Sequence, residues 1–326
     1  MSTSPLKEND IRPREITDRY LELSLKDAQK MNPAEFVEVP CPGCSSQHQS
    51  PKFLKNNFHF VICKDCGSLF CSPRPSQKML NEFYEKGESS NYWANVFFPA
   101  VAESRREKLF RKKAHQISIL FPETFRASPI TICDVGAGYG IFLEELYSFF
   151  LKAKLCAIEP GQALAKKCRV KGFETLETTA EKAESWANRF DLVISSEVLE
   201  HIYQPDQFTE ALYRLVKPGG TVIVTGLGYE GFDILLLQEK SKSVFPPHHI
   251  NFLSLQGCKK LFERTGFKKV EVWTPGELDV DIVMNSEFAP EFLKTLCKRE
   301  GAGSALQDLL KKYNLSSHVW VKAVKE

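Results

Sequence analysis

The stretch Ile132-Cys133-Asp134-Val135-Gly136-Ala137-Gly138-Tyr139-Gly140 decides the fold, because an acid follows at Glu159 in Ala157-Ile158-Glu159-Pro160-Gly161. Pro129 to Val135 is a short apolar, β-branched run and reads as a buried strand. Ile141 to Phe150 reads as a helix, with Phe142, Leu146 and Phe149 at helical spacing. The glycines thus occupy a strand-to-helix turn, where a missing Cβ lets a ligand lie against the backbone. Leu155 to Ile158 is the next expected strand, and it delivers Glu159 to its end. A carboxylate there can accept hydrogen bonds from both hydroxyls of a ribose. The pattern describes a nucleoside pocket.

Spacing separates this pocket from a dinucleotide site. The dinucleotide fingerprint is G-x-G-x-x-G, with room for a pyrophosphate. Here the order is G-x-G-x-G, with Tyr139 between the last two glycines. Downstream, Phe190-Asp191-Leu192-Val193-Ile194-Ser195-Ser196 reads as another parallel strand, followed by Glu197-Val198-Leu199-Glu200-His201. Leu215-Val216-Lys217-Pro218-Gly219-Gly220 closes a helix and leads into a strand from Thr221 to Thr225.

On these four pieces, residues from about 129 to 272 resemble the class I methyltransferases that use S-adenosylmethionine. The resemblance implies an α/β, Rossmann-like core with a seven-stranded sheet. It also implies roles. Gly136, Gly138 and Gly140, with Ala137 and Tyr139 between them, approach the methionine part, and Asp134 fixes its amino end. Glu159, followed by Pro160, holds the ribose. Thr179, Ala180 and Glu181, at the end of a third strand, meet the adenine, although the family often has Asp where Thr179 stands. Ser195 faces the methionine moiety. Methyl transfer from a sulfonium is an in-line displacement that mainly needs alignment and exclusion of water, so a cofactor cradle is expected where a catalytic motif is not.

A second pattern lies upstream. Cys41-Pro42-Gly43-Cys44 and Cys63-Lys64-Asp65-Cys66-Gly67 form C-x2-C-x18-C-x2-C. Each pair, on a tight knuckle, directs two thiolates at one ion, and two knuckles complete a tetrahedron suited to structural Zn2+. An iron centre or a redox dithiol are the rivals, but redox C-x-x-C pairs belong beside a βαβ unit, which is absent here. The segment between the pairs, carrying Phe53, Phe58, Phe60 and Ile62, is expected to be a hairpin. The other cysteines, Cys71 among them, have no paired spacing.

The 326 residues divide, on this reading, into an N-terminal tail and helix (1–37), a zinc-ribbon module (38–73), a helical linker (74–128) and the cofactor domain (129–326) with a helical insertion at about 286–313. Residues 1–13 read as disordered, and Arg14 to Lys30 as an amphipathic helix. The patch Gly87 to Asn91 is expected to break the linker helix. His318 to Val324 is the best candidate for the family's last strand, inserted antiparallel between the fifth and sixth.

Composition bounds the function. Hydrophobic residues at 43% support a sizeable core, and no run has transmembrane length or the character of an export signal, so a cytoplasmic enzyme is expected. A net charge of +2 disfavours a nucleic-acid surface, which needs a basic stripe. The basic cluster from Arg105 to Lys113 reads as a solvated helix face.

Taken with the ribbon, the chain resembles bacterial methyltransferases with an N-terminal zinc module, a group that includes sugar and surface-polysaccharide enzymes. The implied partner is a small sugar-containing substrate. A ribosomal RNA methyltransferase and an inactive cofactor-fold binding protein are the alternatives. For deprotonating a hydroxyl, His248 and His249 are the candidates, in a long segment (226–251) at the edge where the donor methyl would emerge. His201 and Glu197 come next. E-x-x-E-H at 197, 200 and 201 also resembles the ubiquinone-type O-methyltransferases, some of which hold a divalent ion there; with one helical turn between them the three could share a face.

Overall fold

A computed structural model describes residues 6–326. Residues 1–5, the start of the expected tail, lie outside the described residues. The rest of that segment is ordered against the protein. Glu8–Ile11 is a short helix, and Leu6 and Ile11 are buried. Two apolar side chains in an otherwise polar stretch suffice to dock it. The helix Arg14–Gln29 follows as expected, burying Leu23 and Ala28.

The ribbon is a hairpin of β1 (Gln49–Lys55) and β2 (Phe58–Cys63), with β3 (Leu69–Cys71) antiparallel to β2. Its strands alternate apolar residues inward, placing Phe58 and Phe60 in the interior. Ser76 then caps the helix Gln77–Lys86 by accepting from the Met79 amide. Only Gly87 interrupts the helical path, because Glu88 already begins the next helix. From 88 to 118 the chain is helical throughout, with two π-helical stretches, Trp93–Phe97 and Arg106–Phe110. Pro99 lacks an amide hydrogen, so the ordinary ladder cannot continue through it, and the first wide turn lies just before it.

The core sheet takes β4 (Thr131–Val135), β5 (Lys154–Ile158), β6 (Glu174–Leu176), β7 (Phe190–Ser196) and β8 (Val216–Leu227) as parallel strands. The third strand thus ends at Leu176, short of Thr179. After β8 the chain leaves the core sheet, forms β9 (Asn251–Phe252) outside it, and returns as β10 (Lys268–Trp273) and β11 (His318–Val324). The order is β10-β11-β8-β7-β4-β5-β6, with β11 antiparallel to both neighbours. This is the expected α/β sheet with its inserted last strand. The insertion starts earlier than expected: helices Asp279–Met284, Glu291–Cys297 and Ala302–Lys312 all lie between β10 and β11. No helix of the described residues is long and apolar enough to cross a membrane.

One connection has no local signal in the sequence. The strand β9 does not join the core sheet; it pairs antiparallel with β3, completing a second sheet of order β1-β2-β3-β9. The ribbon is therefore no separate bead on the chain. Arg264 donates to the carbonyl oxygens of Pro42 and Gly43, and Ser254 donates to that of Cys66. A Cβ on Gly43 would lie 2.9 Å from the Gly257 backbone, so a glycine on the knuckle allows this approach.

The basic cluster is not a solvated face. Arg106 pairs with Glu144 at 2.6 Å and Glu145 at 2.9 Å, Arg111 with Glu145 at 2.9 Å, Lys108 with Asp10 at 2.7 Å and Lys112 with Glu277 at 3.2 Å. Lys113 is buried in the core. These four charges have partners far along the chain that helical periodicity does not predict.

Candidate active site

The glycine turn forms as its sequence requires. Gly136, Gly138 and Gly140 all have positive φ, at 79°, 54° and 68°, a region that disfavours side chains. A Cβ on Gly136 would strike Val198 at 2.6 Å, whereas one on Gly138 would meet only open space. Gly138 is thus the point where a ligand can reach the backbone. Glu159 lies opposite, at the end of β5. One of its oxygens accepts from the Gly138 amide and the other from the Gly161 amide, each at 2.8 Å. Each oxygen keeps a second lone pair for a ribose hydroxyl. Burial raises the Glu159 carboxyl, and the two amides oppose it.

Asp134 is buried, and no donor of the described residues is hydrogen-bonded to its carboxylate. Burial, with the charge of Glu159 nearby, pushes it up to about 7. A buried acid without a donor can take an incoming cation. Ala137 is buried and Tyr139 half-buried, its ring stacked on Phe98 at 4.4 Å and its hydroxyl donating to the Ala94 carbonyl. Pro160 and Thr179 are exposed, Ala180 is buried and Glu181 is half-buried.

Ser195 does not meet its expectation. Its hydroxyl is fully buried and donates to the Val135 carbonyl at 3.0 Å, tying β7 to β4. The next residue, Ser196, enters a polar network instead. Lys113 donates to Ser196 at 2.7 Å, to Glu197 at 2.9 Å and to Thr225 at 2.9 Å. His318 Nε2 lies 2.7 Å from the same Glu197 oxygen, while Trp320 donates to His318 Nδ1 at 3.2 Å. Indole is a donor only, so His318 carries its proton on Nε2 and gives it to Glu197. Burial would raise Glu197, but Lys113 and His318 outweigh it and hold the carboxyl well below the usual range. Its backbone has φ of 56°, strain of the kind found at working sites. Lys113 and His318 were not legible as site residues, since one lies in a charged run and the other on the last strand.

Glu197, Glu200 and His201 do not share a face. The turn Leu199–His201 is a 3-10 turn and Glu197 precedes it in a left-handed conformation, so the helical spacing never arises. His249 replaces Glu197 in the cluster. Glu200, His201 and His249 bring a carboxylate oxygen and two ring nitrogens within 4.8 Å of one another. Glu200 is buried against Gly226, and its Oε2 has no hydrogen-bond partner. Burial and the charge of Glu197 push it well above the usual carboxylate range. One carboxylate and two imidazoles also suit a divalent cation.

The adjacent histidines have opposite surroundings. His248 is enclosed by aromatic rings, edge-on to Phe83 at 4.6 Å and stacked on Phe245 at 5.7 Å, with Nε2 3.3 Å from Ser89 Oγ. It is a packing residue. His249 donates from Nδ1 to the Ser243 carbonyl at 2.7 Å, so its Nε2 lone pair is the free one. Burial, then the neighbouring His201, lowers it to about 3, and burial lowers His201 to about 4. Both rings are therefore neutral near pH 7, with a lone pair left to accept. Tyr229, on the same long segment, is buried in the apolar cluster that holds Phe58, Phe60 and Phe252.

The four knuckle sulfurs converge as expected. Cys41 and Cys66 are 3.5 Å apart, as are Cys44 and Cys63, and all four lie within 4.8 Å of one another. A tetrahedron with zinc–sulfur bonds of about 2.3 Å has edges of about 3.8 Å, so this donor set fits zinc.

Among known proteins, a mitochondrial ubiquinone biosynthesis O-methyltransferase of Dictyostelium discoideum is 29% identical over 37% of this chain and 41% of its own length. A malonyl-[acyl-carrier protein] O-methyltransferase of Ilyobacter polytropus is 26% identical over 54% of this chain and 67% of its own length. The chain thus spans about two fifths of the ubiquinone enzyme it matches. The plantazolicin methyltransferase BamL, solved with a substrate analogue and S-adenosylhomocysteine, superposes with a TM-score of 0.51 at 15% identity, covering 76% of this chain and 94% of that one. That likeness concerns the fold. The family model described as a methyltransferase domain matches residues 104–272, just over half of the chain, from the helix that carries Lys113 through the glycine turn to β10. With cradle, strand order and family match in agreement, the chain belongs to the methyltransferase domain family.

Proposed function

We propose that this protein transfers the methyl group of S-adenosylmethionine to a hydroxyl of a small polar acceptor, a sugar or nucleotide-linked sugar, and that Cys41, Cys44, Cys63 and Cys66 hold a structural zinc. The observation that carries the reading is the Gly138–Glu159–Asp134 cradle at the same sheet edge as Glu197, His201 and His249. Bound there, S-adenosylmethionine supplies an electrophilic methyl on a sulfonium. The protein must then orient the acceptor, exclude water and take one proton. His249 is the base in this reading, since its free Nε2 accepts while Ser243 fixes the tautomer. Glu197, held ionised by Lys113 and His318, accepts a hydrogen bond from the acceptor. The relatives named as O-methyltransferases support oxygen as the acceptor atom. The internal pairing of Arg106, Lys108, Arg111 and Lys112 leaves no basic stripe there for RNA.

The direct test is methyl-labelled cofactor offered with nucleotide-linked sugars, sugar phosphates, free sugars and ribosomal RNA. Label in a sugar hydroxyl supports the reading, and label in RNA alone overturns it. His249→Ala should lower turnover roughly 100-fold with cofactor affinity intact. His248→Ala should instead cost roughly 2–4 kcal/mol of stability, as for other emptied aromatic pockets. Equal turnover in wild type and His249→Ala would move the base to His201 or Glu197.

Asp134 makes cofactor affinity depend on pH. Its carboxyl, raised to about 7 in the free protein, is ionised only above that pH. An ammonium favours the ionised form, so binding below pH 7 must release a proton. Affinity for S-adenosylhomocysteine should therefore fall as pH drops, roughly 20-fold from pH 7.5 to 5.5. Calorimetry across this range, with Asp134→Asn giving a flat profile, checks it. A flat wild-type profile would remove Asp134 from the ammonium contact.

A further inference from the structure

We infer that the acceptor carries an anionic group, a phosphate or a carboxylate, and that Arg12 and Arg105 clamp it above the cleft. The inference rests on the proposed transfer to a small acceptor and adds the charge that acceptor must bear. Two observations place the guanidinium groups. Arg105 projects from the long helical run, donates to the Ile11 carbonyl at 3.3 Å and lies over the rings of Trp93 at 5.2 Å and Phe98 at 5.9 Å. Phe98 in turn stacks on Tyr139 of the glycine turn. Arg105 is therefore one aromatic layer from the cofactor cradle. Arg12, next to Ile11 in the chain, donates to Ser243 Oγ at 3.4 Å, and the carbonyl of that same Ser243 holds His249. Arg12 is therefore one residue away from the proposed base. The pair spans the gap between cradle and base.

Neither guanidinium has a carboxylate within 4.0 Å among the described residues, although most other arginines near them do. Arg105 Nε is buried with no partner at all. The nearest acids act from farther off. Glu197 accepts from Lys113, Thr225 and His318, all on one oxygen, and its charge reaches Arg105 from beyond 4.0 Å. Asp233 reaches Arg12 only through Ser243, whose hydroxyl lies 3.4 Å from each. Burial, and then the like charge of Arg12, lowers Arg105 to about 10. Two like charges held together with no carboxylate in contact cost free energy that a bound anion would return. Planar guanidinium forks on aromatic faces are suited to phosphate and carboxylate oxygens. The anion would lie beside the proposed base, leaving the reacting hydroxyl of the same molecule to reach His249.

The test is calorimetry on the intact protein saturated with S-adenosylhomocysteine, at low ionic strength, with inorganic pyrophosphate and citrate as separate probes. One probe molecule per chain is expected, and the tighter of the two names phosphate or carboxylate as the source. Arg12→Gln and Arg105→Gln should each weaken that binding about tenfold or more, and Arg105→Lys should recover part of it. S-adenosylhomocysteine affinity, expected to change less than about twofold, reports that each variant is folded. If neither probe binds wild type, or both bind the two Gln variants as tightly as wild type, the clamp is wrong. If wild type fails to bind S-adenosylhomocysteine, the cofactor reading falls, and the probe titration without it still decides the clamp.

Discussion

Removing the zinc proposed at Cys41, Cys44, Cys63 and Cys66 will unfold the ribbon and disable methyl transfer while leaving cofactor binding largely in place. The ribbon's own buried residues, Phe58, Phe60, Val61, Leu69 and Phe70, are few, and much of the apolar cluster around them comes from elsewhere in the chain. Structural zinc contributes on the order of 10 kcal/mol or more to such modules, which exceeds what a small apolar cluster supplies. The damage should travel along a chain of hydrogen bonds. When β3 frays, β9 loses its partner, and the Cys71 amide loses the Ile250 carbonyl. The Ile250 amide donates to the Glu200 carbonyl, and Asn251 donates to the carbonyls of Leu199 and Ile202. The turn that presents Glu200 and His201 is thus fastened to the ribbon. The cradle stands on β4 and β5, whose own pairings involve neither the ribbon nor β9. Cys63→Ser should lose the metal, lose hydrogen-exchange protection at 199–202 and 250–252, and lose turnover, yet still bind S-adenosylhomocysteine. Retained turnover in metal-free protein would overturn the account.

Glu159→Ala should weaken cofactor binding by about 4 kcal/mol, close to a thousandfold. The carboxylate has two duties, and both end with the substitution. It would no longer accept from a ribose, and the half-buried amides of Gly138 and Gly161 would lose their partner. An unsatisfied buried amide itself costs about 1–3 kcal/mol. The turn should therefore loosen as well as lose a contact, and Gly138 should show faster amide exchange. Titration calorimetry with unchanged affinity, or a preference for NAD over S-adenosylmethionine, would falsify the nucleoside assignment.

What the sequence disclosed was local. The strand, the glycine turn, the next strand and its terminal acid lie within 30 residues, and each is dictated by neighbours in the chain. The two cysteine knuckles are local in the same way. The last strand was also legible, because alternation from His318 to Val324 identifies a strand wherever it docks. Long-range partners were not. Nothing in Lys113 distinguishes it from Lys112, yet one is buried on Glu197 and the other pairs with Glu277 at the surface. His248 and His249 are the same residue type in one loop, and only the rings that fold around the first separate packing from chemistry. The short helix Glu8–Ile11 had too few apolar residues to stand out, although it delivers Arg12 beside the cleft.

The shared sheet of ribbon and β9 also fixes what can be inherited as a piece. A crossover that exchanged residues 38–73 alone between two related proteins would strand 250–252 without a matching edge, and would leave Gly257 facing a foreign knuckle. Ribbon and return strand must therefore change together. Acceptor choice, which depends on the turn they jointly hold, should drift in evolution with the ribbon and independently of the nucleoside cradle.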